Sequence, residues 1–119
     1  MADTIKSNME HSNGTTEVII LDGAGSNIVY TVIAITICNT RSGDDETFDL
    51  FINDVDNTFG EGANANFYIY KTQSLPALAT FEHTSKISLK HNDELVFVIG
   101  DNTNGEEVYI VVTYLEQTS

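Results

Sequence analysis

Apolar and polar residues alternate along most of this chain, in short runs separated by polar turns. Residues 16–21 (TEVIIL) read as a first strand, and a glycine-rich turn at 22–26 leads into a long β-branched run at 27–39. After the polar loop 40–45 comes ETFDLFI, which places Phe48, Leu50 and Ile52 on one face. A loop over 53–66 precedes a short aromatic strand at 67–71, a connection at 72–76 and a weaker strand over 77–84 around Leu78, Thr80 and Glu82. Three more strands follow at 87–89, 95–99 and 108–115, joined by turns built on Asn92-Asp93 and Asn104-Gly105. The pattern predicts an all-β antiparallel sandwich of about eight strands. No window shows a 3.6-residue period with caps, so no helix is expected. Residues 1–14 (MADTIKSNMEHSNG) are polar apart from Ile5 and Met9. They read as a flexible N-terminal arm attached to a single β-sandwich domain over residues 15–119.

Several strands are apolar on both faces. Val108, Ile110, Val112 and Tyr114 fall on one side of the last strand, and Tyr109, Val111 and Leu115 on the other. In the long second strand Val29, Ile33, Ile35 and Ile37 oppose Ile28, Tyr30, Val32, Ala34 and Cys38. A sandwich strand with one wet face should not look like this. The outer face is therefore expected to be covered, either by loops or by a second subunit.

Bulk properties narrow the function. A chain of 119 residues with 41% hydrophobic content supports one globular core without metals or disulfides. Eighteen acids against five bases give a formal charge of −13, which repels phosphate backbones and anionic membranes. Such a surface suits docking on a basic or polar partner. The single cysteine, Cys38, sits in the most apolar stretch and reads as buried filler compatible with a reducing compartment.

Candidate chemistry is sparse. Asp54, Asp56 and Thr58 have the i, i+2, i+4 spacing of a calcium loop, where alternate oxygens turn toward one ion. The glycine, however, stands seventh rather than sixth, and Ala65 occupies the place of the closing glutamate. A solvated acidic loop is the plainer reading, and no metal or cofactor is expected. Asp44-Asp45-Glu46 lies in a loop, where solvation rather than acid–base work is the natural fate. His11, His83 and His91 share no local element that would make a ligand set. Phe67, Tyr68 and Tyr70 could stack on a sugar, but strand aromatics are more often core or cross-strand partners. No nucleophile–base pair is visible, so no enzymatic activity is expected.

The segments YTVIAITICNT (30–40), TFDLFI (47–52), ISL…DEL (87–95) and VVTYLE (111–116) occur in an order that resembles small virion structural proteins of tailed bacteriophages of the marine and cyanobacterial type. The resemblance covers residues 15–117, and its motifs describe a strand order rather than a site. It implies a jelly-roll-like sandwich outside a capsid or on a tail, found in the virion and assembled in the bacterial cytoplasm. Relatives often carry a Pro-Gly turn near Ile33-Ala34 that is absent here, so the first strands are expected to be longer or differently bent. The expected role is a capsid decoration or cement protein. Its partners would be the major capsid protein, other virion proteins and further copies of itself, a trimer being favoured. Contact residues are expected at Ile5 and Met9 in the arm and at Tyr109 and Val111 on the outer face. The other reading is a neck, tail or receptor-binding component that meets protein or glycan through loop 53–66, Tyr68 and Tyr70.

Overall fold

The structure, a computed structural model, describes residues 3–12, 14–23, 25–43, 45–55, 65–100 and 107–118. They contain nine strands and no helix: β1 (Asp3–Ser12), β2 (Val18–Leu21), β3 (Ile28–Asn39), β4 (Glu46–Asp54), β5 (Ala65–Leu75), β6 (Thr80–His83), β7 (Ile87–Leu89), β8 (Asp93–Ile99) and β9 (Val108–Thr118). One sheet, here sheet A, has the order β1-β9-β3-β6, with β7 continuing the edge beside β3. The other, sheet B, has the order β2-β8-β4-β5. Every pairing is antiparallel.

The pairings are nested: β4 with β5, β3 with β6 and β7, β2 with β8, and β1 with β9. The chain thus forms one long hairpin whose two arms run side by side. Rolling that hairpin up brings β9 against β3 and β8 against β4. This is a jelly roll, a two-sheet antiparallel architecture.

The core lies between the sheets. Val32, Ile35, Ile37, Leu89, Val108, Ile110 and Val112 from sheet A meet Ile20, Phe48, Leu50, Leu95, Phe97 and Ile99 from sheet B, all at most 1% exposed. Phe48 is the aromatic centre, with ring centroids 5.5 Å from Phe97 and 5.2 Å from Phe81. The expected inward faces of β4 and β9 are therefore present. In β3 the expected parity is broken. The register against β9 shifts between Val32 and Ala34, so Val32 and Ile35 both point inward and Ile33 points out. A bulge adds one residue to one strand and reverses every later side chain, which simple alternation cannot foresee.

Two further corrections concern β1 and β5. Residues 3–12, expected as a flexible arm outside the sandwich, form β1 and pair with β9 from Asp3↔Gln117 to Ser12↔Val108 without a register shift. Their own sequence is polar, so the strand is held by the ladder that β9 supplies and not by a buried face of its own. The Asn8 side-chain amide also donates to Ile20 O (2.8 Å), tying β1 to sheet B. Residues 72–75, expected as a connection, continue β5, with a kink at Thr72 (φ 52°) that is held by its N–H donating to Asp49 Oδ1 (2.7 Å). At the β2–β3 turn only glycine fits at position 23, because a Cβ there would lie 2.7 Å from Asn92 Cα.

Candidate docking surface

Because β1 joins sheet A, the odd-numbered residues of β1 share its outer face with the outward residues of β9 and β3. The register sets them in rows. Ile5 lies opposite Leu115 and then Thr31. Met9 lies opposite Val111, then Thr36 and Glu82. His11 lies opposite Tyr109, then Cys38 and Thr80. Ile33, turned outward by the bulge, adds to the same face. Ile5 is 69% exposed, Met9 73%, Tyr109 47% and Val111 37%. All four residues expected from the sequence to contact a partner thus stand on one surface, two of them cross-strand neighbours of the others' strand. Single exposed apolar side chains are ordinary, but several on one sheet face, with Met9 directly opposite Val111, are not.

The ionisable side chains on this face include Asp3 and His11 of β1, Glu82 of β6 and Tyr109 of β9. His11 Nδ1 lies 3.2 Å from Glu107 Oε1. The Tyr109 hydroxyl is held above its ordinary pKa by a hydrogen bond to Glu107 and by that carboxylate's charge. On the opposite face of the sheet Lys6 Nζ sits 2.7 Å from Glu116 Oε2, and this contact raises the Lys6 pKa. Tyr30 and Tyr114 stack edge to face nearby, at 5.1 Å between centroids, and partial burial raises the Tyr30 hydroxyl.

The outer face of sheet B behaves differently. Ile19, Val96, Phe51 and Tyr68 form a row across it, and its two central members, Val96 and Phe51, are buried within the single chain. The two-faced hydrophobicity read from the sequence concerned β3 and β9, which both lie in sheet A, where Ile33, Tyr109 and Val111 stay exposed; sheet B, by contrast, buries the centre of its own outer row.

The remaining sequence candidates do not assemble into a site. Asp54 ends β4 fully buried and is the register partner of Asp93, also fully buried. Asp56 and Thr58, with most of the acidic loop, lie outside the described residues. Tyr68 and Tyr70 form no platform. Tyr68 faces outward under Lys71 Nζ (4.4 Å), while Tyr70 turns inward, its ring 4.9 Å from Phe81 and its hydroxyl 2.7 Å from His83 Nδ1. The β-bulges of β5 against β4 separate these two same-parity residues. His91 borders an open cleft of about 430 Å³ with Asn27, Ile28, Lys90 and Gln117, away from His11 and His83. Among the described residues no three His, Cys, Asp or Glu side chains converge as metal ligands. The buried polar groups that sequence reading missed are Arg41 and Glu46, paired at 2.8 Å, with Glu46 Oε1 also accepting the N–H groups of Thr47 and Gly100. Arg41 lies in the loop after β3 and Glu46 is the first residue of β4, so the pair is brought together where that loop meets the sandwich.

No protein-family model matches this chain, and no curated protein matches it. Among solved structures, it is similar to a chain in the structure of infectious bursal disease virus, Gx strain, at 10% identity and a TM-score of 0.55, over 97% of this chain and 31% of that one. It is also similar to the N-terminal CBM22-1–GH10 modules of Clostridium thermocellum xylanase 10B, at 16% identity and a TM-score of 0.49, over 92% of this chain and 19% of that one. A Bacillus endospore appendage pilus protein aligns over 99% of this chain and 91% of its own, at 13% identity and a TM-score of 0.40. The chain spans less than a third of the first two. The likeness is one of fold.

Proposed function

We propose that this protein is a structural component of a bacteriophage virion, a decoration or cement protein that docks on the outer shell through the outer face of sheet A. The observation that carries the reading is the open apolar surface of Ile5, Met9, Tyr109, Val111 and Ile33, set in a chain whose formal charge is −13. An acidic body with one apolar adhesive face suits a polar or basic shell, with the apolar rows buried at the contact and most of the acids left in water. The jelly roll, an architecture used in viral shells, supports the reading, as does the fold-level likeness to a chain of a virus structure. So does the order of segments, which resembles that of small phage virion proteins. The work is adhesive: added contacts across subunit joints resist pressure from within, with no substrate turned over.

The test is reconstitution. Purified protein added to particles lacking it should saturate at hundreds of copies and raise the temperature at which the shell opens. Val111→Lys, an exposed change that the fold tolerates, should reduce occupancy at least tenfold. Absence of binding to any assembled particle would sink the proposal, and saturation at a dozen copies or fewer would make the protein a neck or tail component instead.

A further inference from the structure

Among the described residues β1 is the outermost strand of sheet A, and within its own sequence it lacks the usual protections of an exposed edge. Edge strands are normally kept short, bulged, interrupted by proline or guarded by a free lysine. β1 runs from Asp3 to Ser12 with no proline, glycine or register shift. Its one lysine, Lys6, is drawn back onto its own sheet by Glu116. In a chain with a large acidic excess, this strand carries only two acids, Asp3 and Glu10, against Lys6.

We infer that β1 pairs with β1 of a second copy about a two-fold axis through Ser7, joining two A sheets into one. In an antiparallel pair, directly opposed residues share a face, so odd positions must meet odd positions. With Ser7 opposite Ser7 of the second copy, Ile5 falls opposite Met9 and Asp3 opposite His11, each pair occurring twice. Thr4 meets Glu10 and Lys6 meets Asn8 on the other face. The two most exposed large apolar side chains of β1 thus cover each other, and the outer patches of both copies merge into one surface. Main-chain hydrogen bonds along the strand supply affinity, and the Ile5–Met9 and Asp3–His11 pairs fix the register. The arrangement is isologous and closes at two copies, which differs from the trimer that the family resemblance implies. Because each copy carries −13, the halves repel at long range, so association strengthens as salt is added.

Sedimentation equilibrium of the full chain should show a concentration-dependent mass rising to that of two chains, with more dimer at high salt. Met9→Lys should weaken dimerisation by about tenfold or more, because the two-fold axis doubles the loss of one apolar pair. Its circular dichroism should match the parent. In a Cys38→Ser background, Ser7→Cys should form a disulfide-linked dimer under mild oxidation, while Thr80→Cys, at the opposite edge of the sheet, should stay unlinked. A monomer at every concentration up to millimolar, association that weakens with salt, or equal cross-linking of the two cysteine variants would each overturn the pairing. These readouts concern the isolated chain in solution, so their failure is separate from a failure to bind particles.

Discussion

Glu46 is a buried and closely held carboxylate. One oxygen takes the Arg41 guanidinium and the other takes two backbone N–H groups, all in a site nearly closed to water. Removing Glu46 takes its carboxylate away from a guanidinium that stays buried. Glu46→Ala should therefore cost about 3–5 kcal/mol, read as a lower midpoint in urea at unchanged slope. Glu94 presents the opposite case. Partial burial, then a hydrogen bond to Asp22 and the charges of Asp22 and Glu17, hold its carboxyl above the ordinary value. An acid raised in the folded state binds more protons there than when unfolded. Its penalty is absent below the unfolded pKa and complete above the folded one. Glu94→Gln should accordingly raise the melting temperature at neutral pH, with the gain vanishing as pH falls below the carboxylate range.

At the scale of the element, β3 is the strand whose sequence misleads. Ile33 and Ile35 lie two residues apart and would share a face in a regular strand. The bulge between Val32 and Ala34 puts Ile35 in the core and leaves Ile33 37% exposed. Ile35→Ala should cost about 2–5 kcal/mol, and Ile33→Ala less than about 1 kcal/mol. Equal losses in denaturant unfolding would contradict the bulge. β1 misleads in the other direction. Its alternation of Ile5, Ser7 and Met9 is too weak to announce a strand, yet the long β9 gives it a complete ladder. β4, β8 and β9 were legible because their apolar period of two matches the face they bury, Phe48 and Leu50, Leu95 and Phe97, and Ile110 and Val112.

At the scale of the molecule, two sheets packed face to face need their margins tied. On the β1–β2 side the tie is Asn8 to Ile20 O. On the other side it is Tyr70 of β5 to His83 of β6, a 2.7 Å hydrogen bond beside the Phe48–Phe81 stack. His83 is buried, so Tyr70→Phe leaves its Nδ1 without that partner. The change should cost about 1–3 kcal/mol with little change in core packing, and thermal unfolding of the variant measures it. The open face of sheet A belongs to this scale too, since no single strand holds it. Ile5 and Met9 come from one end of the sequence, Tyr109 and Val111 from the other, and Ile33 from between.

What the amino-acid order determined by itself is the class of structure: strands from a period of two, turns from Asn, Asp and Gly, one core from the apolar content, and an acidic exterior. It also marked Ile5, Met9, Tyr109 and Val111 as apolar residues without a core place, because each stands out of phase with a buried set or in a polar run. The tertiary structure decided which of them meet. Strand pairing between residues more than a hundred positions apart carries no local signature. Bulges shift parity through the geometry of two strands at once, and Arg41 of a polar loop meets Glu46 at the start of β4 in a buried pair only when the sandwich closes around them.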